Sequence, residues 1–92
     1  SDQQREVDRM IASAGMLCRS DEFAEFLYEK GYMPDTDYIE SNFGEREVAV
    51  AESLRSTLGI ESRADLKTSS EAREKFKELT TEFTRWKQGY QT

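Results

Sequence analysis

The chain has 92 residues, 19 of them acidic, 13 basic and none histidine, which gives a net charge of −6. This length allows one hydrophobic core, and the charge argues against a general nucleic-acid or anionic-membrane binder. With no histidine and only Cys18 as a thiol, the usual nucleophilic triads, Cys/His zinc sites and an intramolecular disulfide are excluded.

Two helices are predicted in the first third of the chain. Apolar residues at three- and four-residue spacing predict one buried stripe on the first helix, made of Val7, Met10, Ile11, Ala14, Leu17 and Cys18. Cys18 is interpreted as a small buried hydrophobe. Ser20 is typical of a helix cap, and Gly31 of the stop that ends the second helix. The acidic residues of that helix predict a solvated face; they are Asp21, Glu22, Glu25 and Glu29.

The segment 31–44 is the least regular part of the sequence. Pro34 forbids an ordinary helix interior, although a short helical turn around residues 35–41 is compatible with the pattern. Its apolar and aromatic content predicts that the segment packs on the core. Asp35 and Asp37 resemble the start of a calcium loop, but Arg46 stands where the twelfth-position glutamate would be. We therefore expect a solvated turn here.

A third helix is predicted from about Glu45 to Leu58, with Ser41 or Asn42 as its cap and Gly59 as its stop. Its expected inner face consists of Val48, Ala51, Leu54 and Leu58. Residues 62–65 have the form of a capping box and predict a short turn that ends near residue 66. Read as a helix–turn–helix, this region would have a recognition helix of only about one turn, too short to present several base-reading residues.

The last helix gives the clearest pattern. Either Thr68 or Ser69 is predicted to cap it, with Glu71 at the third helical position if Thr68 is the cap. A single apolar seam then continues for more than five turns through Ala72, Phe76, Leu79, Phe83, Trp86 and Tyr90. No strand-like alternation occurs. The sequence therefore predicts an all-α fold, a compact bundle of about four helices with short additional turns and a long C-terminal helix.

The predicted organisation is a single helical domain over residues 1–92, and its compartment is expected to be the cytoplasm. A lone cysteine indicates a reducing compartment. The sequence contains neither an apolar run long enough to span a bilayer nor the pattern of a signal peptide. The chain begins at Ser1, so a tag remnant, a trimmed methionine and excision from a longer protein all stay open.

Several stretches of the sequence together resemble a known type of module. They are residues 16–23 (MLCRSDEF), 26–27 (FL) and 58–66 (LGIESRADL), followed by a final helix that reaches Trp86. This pattern is similar to a small helical module of phage- and prophage-encoded proteins that are often encoded near replication or recombination genes. The resemblance covers about residues 12–87. It implies a DNA-metabolism setting, and it brings no catalytic or binding residues.

We expect a non-enzymatic module, without a cofactor, that binds another protein of host or phage origin in phage or bacterial DNA processing. Residues 1–45 carry 11 acids and four bases, and aromatic residues are more numerous than a domain of this size needs. Tyr28, Tyr32, Tyr38 and Tyr90 are the candidate anchors, because tyrosine is enriched at interface hot spots. An acidic surface that imitates DNA is a narrower form of this hypothesis, although a net charge of −6 is small for a DNA mimic. The seam of the last helix also permits a homodimer.

The alternative is a weak nucleic-acid-binding domain in the C-terminal half, where residues 46–92 carry nine bases and eight acids. Its candidate binding residues are Arg55, Arg63, Arg73, Lys77, Arg85 and Lys87. Basic side chains beside Trp86 are typical of proteins that combine base stacking with phosphate contacts. Interleaved glutamates dilute such a positive field, and the hypothesis requires the bases to converge on one face. An enzyme would require carboxylates that converge in a dry cleft.

Overall fold

The described part of this protein contains four helices and one 3-10 turn. The computed structural model describes residues 1–35, 38 and 42–90, with residues 43 and 90 described through their backbone alone. We number the helices α1 (Asp2–Leu17), α2 (Asp21–Glu29), α3 (Phe43–Leu58) and α4 (Ser70–Tyr90), and a 3-10 turn (Arg63–Lys67) lies between α3 and α4. The predicted all-α bundle with a long C-terminal helix is confirmed, since α4 has 21 residues. None of the described helices is long and apolar enough to cross a bilayer.

Polar side chains begin the helices where the sequence predicts caps. The Phe23 amide donates to the Ser20 hydroxyl at 3.1 Å, which fixes the start of α2. Asn42, one of the two candidates, caps α3 and forms a capping box with Glu45. The Ser69 hydroxyl accepts from the first turn of α4 at 3.0 Å, so Ser69 and not Thr68 occupies the cap position there.

Two glycines end helices in the left-handed region. Gly31 has φ +81° after α2, and Gly59 has φ +72° after α3. A side chain at either position would be strained, because this backbone conformation brings Cβ too close to the following carbonyl oxygen. Both predicted stops are confirmed. The chain then enters the 3-10 turn, whose first amides are satisfied by a capping box between Ser62 and Asp65.

The core is an aromatic cluster between α2 and α4. The ring of Phe26 lies at its centre, with ring centroids 5.1 Å from Phe83, 5.7 Å from Trp86, 5.8 Å from Phe23 and 6.1 Å from Tyr32. Aliphatic side chains close the cluster on its other sides; the fully buried ones include Leu27, Met33, Val50, Leu54 and Leu66. Such interlocked rings contribute more than their buried area alone. The bundle is flat, with extents of 41 × 32 × 18 Å.

The predicted seam of α4 is used inside the chain. Ala72, Phe76, Leu79 and Phe83 are all buried, and Trp86 is half-buried. Because these side chains already pack within one copy, a homodimer would have to form through another surface. The side chain of Tyr90 lies outside the described residues.

One predicted core position is wrong. Val48 was expected on the inner face of α3, yet 58% of its surface is exposed. The buried face instead follows Val50, Leu54 and Leu58, with Ala49 packed beside it. At 100° per residue Val48 lies about 200° from Val50, on the solvent side of the helix. The prediction that the Cys18 thiol is buried is confirmed, since Cys18 is only 2% exposed. In the segment after Gly31, Met33 is also 2% exposed and packs into the core.

The proposed short turn and the calcium-like pattern of the loop before α3 lie mostly outside the described residues. Residues 36, 37 and 39–41 belong to that stretch. Pro34 and Asp35 are described and exposed, whereas Tyr38 is half-buried against the core.

Candidate functional site

Two of the predicted basic binding residues support the 3-10 turn. Arg73 of α4 donates to the Leu66 carbonyl at 2.8 Å and to the Lys67 carbonyl at 3.4 Å. Arg63 extends towards α1, where a guanidinium nitrogen lies 3.7 Å from the Cys18 sulfur. Arg73 therefore holds the turn against α4, because it satisfies carbonyls that the turn leaves without helical partners. Arg63 links the turn to the end of α1.

Two further basic residues contact other parts of the bundle. The Lys77 ammonium pairs with Glu6 of α1 at 3.5 Å, and that of Lys87 lies 4.5 Å from the centre of the Phe83 ring. Arg55 is half-buried on α3, and Arg85 is exposed on α4. Of the six residues, four lie on α4, one in the turn and one on α3. Arg73 and Lys77 line the same groove beside α1, and four of the six make internal contacts.

Two of the four predicted tyrosine anchors are brought together. Tyr28 of α2 stacks on Tyr38 with ring centroids 4.5 Å apart and ring planes 8° from parallel. The Arg46 guanidinium of α3 lies 5.2 Å from the centre of the Tyr38 ring and donates to the Asp21 carboxylate at 3.2 Å. Tyr28, Tyr38 and Arg46 are each half-buried, and together we call them the tyrosine–arginine patch.

Tyr32, another of the four predicted anchors, lies on the opposite side of α2. Its hydroxyl donates to the Glu82 carboxylate of α4 at 2.9 Å. This hydrogen bond, together with partial burial and the nearby negative charge, raises the pKa of Tyr32 above 10.0. A second link of the same kind runs from the Trp86 indole N–H to the Glu29 carboxylate, also at 2.9 Å. Tyr32 is therefore part of the contact between α2 and α4 and is separate from the patch.

The outer face of α2 is acidic from end to end. Asp21, Glu22 and Glu29 are exposed and Glu25 is half-buried. Phe23, Ala24, Phe26 and Leu27 occupy the opposite face and are buried. The acidic face lies beside the tyrosine–arginine patch, since Tyr28 is three residues beyond Glu25 on the helix surface.

Carboxylates also meet beside α1. Glu6, Glu71 and Glu74 line a groove of about 350 Å³ between α1 and α4. Lys77 pairs with Glu6 and Glu74, Lys75 pairs with Glu71, and the side chains of all three glutamates are more than half exposed. These carboxylates are solvated by water and paired with lysine, whereas acid–base catalysis relies on carboxylates that are shielded from water. Across the described ranges, no group of three His, Cys, Asp or Glu side chains is arranged to hold a metal ion.

Sequence reasoning missed Arg46 and the role of Trp86. Arg46 was noted only for breaking a calcium-loop pattern, because its cation–π and carboxylate contacts join residues 8 and 25 positions away along the chain. Trp86 was expected as a seam residue, and the polar contact of its indole was not foreseen. The available signal was the position of Arg46 in the first turn of a predicted helix, where the helix dipole disfavours a cation.

The comparisons add no relative. No family model, characterised protein or solved structure matches this chain. Its function has to be inferred from its own geometry.

Proposed function

We propose that this protein is a non-enzymatic module that binds another protein through the tyrosine–arginine patch and the adjoining face of α2. The observation that carries the proposal is the stack of Tyr28 on Tyr38 at 4.5 Å, with Arg46 5.2 Å from the second ring. Tyrosine and arginine are residue types enriched at interface hot spots.

Rigidity favours this patch as a binding surface. Each ring is held by the other, and the Arg46 guanidinium is held by both the Tyr38 ring and Asp21. A partner that contacts them restricts little further side-chain motion, so the association loses less conformational entropy. The patch also joins three separate segments of the chain, which gives it a shape that depends on the folded state.

The proposed setting is phage or bacterial DNA processing in the cytoplasm, with a partner of host or phage origin. The resemblance of residues 12–87 to a phage-encoded module supports this setting. The single free Cys18, buried at 2% exposure, is compatible with a reducing compartment.

Capture experiments with matched variants test this function. The tagged wild-type protein, Tyr28→Ala and Arg85→Ala are compared for the proteins that each retains from bacterial lysate. We expect a partner that is lost with Tyr28→Ala and retained with Arg85→Ala, because Arg85 is an exposed residue of α4 outside the patch. A partner retained equally by all three proteins would contradict the role of the patch.

Nucleic-acid binding is the alternative, and its test needs variants that leave the fold intact. Alanine at Arg63, Arg73 and Lys77 would remove contacts within the bundle as well as charge. Arg55→Glu and Arg85→Glu avoid this confusion, since in the part of the chain that the structure describes neither side chain forms a hydrogen bond or an ion pair. Labelled single- and double-stranded DNA is titrated at low and moderate salt. Tight binding by the wild type that weakens steeply with salt, and that is lost in Arg55→Glu and in Arg85→Glu, would favour the alternative.

A further inference from the structure

The acidic residues of α2 form a compact arrangement around one side chain. Glu25 lies three or four residues from Asp21, Glu22, Tyr28 and Glu29, so these four side chains surround it on the helix surface. α2 contains no basic residue, and none stands in its last turn. The centre of the outer face is thus a carboxylate with three carboxylates and one tyrosine as neighbours.

Only the ends of this arrangement are compensated. Asp21 pairs with Arg46 at 3.2 Å, and Glu29 accepts the Trp86 indole N–H at 2.9 Å. Within the described part of the chain, Glu22 and Glu25 form no ion pair. Like charges three and four residues apart on a helix repel each other. The free protein therefore retains an electrostatic repulsion that an oppositely charged partner would relieve.

We infer that the outer face of α2 docks a lysine- or arginine-bearing segment of the partner, with basic side chains placed against Glu22 and Glu25. This inference rests on the proposed function and names the chemistry of its partner. The stacked rings of Tyr28 and Tyr38 lie at one side of the carboxylates and offer an amphipathic surface to the carbon chains of the same basic residues.

Charge complementarity selects this occupant over a nucleic acid. A phosphate backbone would meet the uncompensated carboxylates of Glu22 and Glu25 and be repelled. A second copy of this chain would present the same acidic face and would gain nothing in a symmetric contact through α2. A basic segment is instead attracted to this face at long range, and once bound it lowers the repulsion among the carboxylates of α2.

Peptide binding to the intact chain tests the inference. The probe is a labelled peptide with lysine and leucine at helical spacing, about 18 residues or five turns long. The same peptide with glutamate in place of lysine is the charge control. Fluorescence anisotropy gives the Kd for the wild type, for Glu22→Gln with Glu25→Gln, and for Glu52→Gln with Glu78→Gln. Both double variants remove two charges, but the second pair is exposed on α3 and α4.

We expect the basic peptide to bind the wild type and the α2 variant to weaken that binding about fivefold or more, with the matched control changing it less than about twofold. Equal weakening by both double variants would show attraction to the net charge alone and would overturn the inference. Binding of the acidic peptide, or no binding of the basic one, would also overturn it.

Capture of the partner with Tyr28→Ala and with the α2 double variant distinguishes a failure of this inference from a failure of the proposed function. If that partner is lost with Tyr28→Ala and retained by Glu22→Gln with Glu25→Gln, the docking surface stands and the basic occupant is wrong. If the α2 variant selectively loses the peptide while Tyr28→Ala changes no captured protein, the occupant is supported and the role of the patch is wrong. Circular dichroism confirms that each variant is folded before these comparisons are made.

Discussion

Replacing Glu25 by glutamine should stabilise the free protein. The side chain has three like-charged neighbours on the helix, Asp21, Glu22 and Glu29, and each such pair opposes helix formation by about 0.2–0.5 kcal/mol. Asp21 and Glu29 are partly compensated by Arg46 and Trp86, so we expect a total gain of about 0.5–1 kcal/mol. Glutamine and glutamate have nearly equal helix propensity, so the substitution changes charge with little effect on the backbone.

Thermal unfolding followed by circular dichroism measures this gain. For a domain of this size, about 0.5–1 kcal/mol corresponds to a rise in Tm of about 2–8 °C. The rise should shrink strongly at about 1 M salt, where the Debye length falls to about 3 Å. Glu52→Gln is the matched control, because Glu52 is exposed and has Arg55 three residues ahead of it. Removing this charge, which has no like-charged neighbour three or four residues away, should leave Tm unchanged or slightly lowered.

Two results would refute this reasoning. An unchanged or lowered Tm for Glu25→Gln at low salt would show that the carboxylates of α2 do not repel one another measurably. A rise that persists in full at high salt would show that glutamine acts through packing and not through charge.

Three further predictions concern the core, the 3-10 turn and high pH. Phe26→Ala should lower the free energy of unfolding by about 3–5 kcal/mol, measured by urea denaturation, because it empties the centre of the ring cluster; a loss under about 1 kcal/mol would contradict this packing. Arg73→Ala should cost about 1–2 kcal/mol through the lost hydrogen bonds to the turn, whereas Arg85→Ala should stay within about 0.5 kcal/mol, and equal effects would be the contrary result. The raised pKa of Tyr32 gives stability that is complete below about pH 10 and is lost as pH rises through the higher folded-state value. The wild type should therefore lose stability more steeply above about pH 10 than Tyr32→Phe, and parallel curves would contradict the contact with Glu82.

Helix boundaries were predictable because local chemistry determines them. Ser20, Gly31, Gly59 and the capping box from Ser62 act within a few residues of their own positions, so their roles can be read from neighbours in the sequence. The seam of α4 was predictable for the same reason, since one periodic pattern runs through the whole helix. These features account for the agreement in fold class, element order and core of α2 and α4.

The inner face of α3 was harder to predict because Val48 and Val50 compete for it. A seam through Val48, Ala51 and Leu54 and one through Val50 and Leu54 both satisfy helical spacing, and they differ by about 200° at the first position. The neighbours across the bundle decide between them: Val50 faces the junction of α1 and α2, where it lies near Cys18. A sequence pattern alone does not contain that information.

The candidate surface was predictable in its components and not in its assembly. Tyr28 and Tyr38 were expected as anchors because of their residue type, but their stacking depends on how the chain returns from α2 to α3. Arg46 joins them through contacts with Tyr38 and Asp21 that no local spacing indicates. Conversely, the basic residues that suggested a nucleic-acid surface were correctly found in the sequence, but Arg63 and Arg73 lie against the turn.

Local electrostatics distinguishes α2 from α3, α4 and the 3-10 turn. α3 has an acid in its first turn and a base in its last, as do the 3-10 turn and α4, in agreement with the helix dipole. α2 has acids at both ends, with Glu29 where a base would be stabilising, and its central carboxylate is surrounded by like charge. Natural sequences are locally consistent except where function requires otherwise. The proposed basic segment of a partner would relieve this repulsion, because its side chains would place opposite charge beside Glu22 and Glu25.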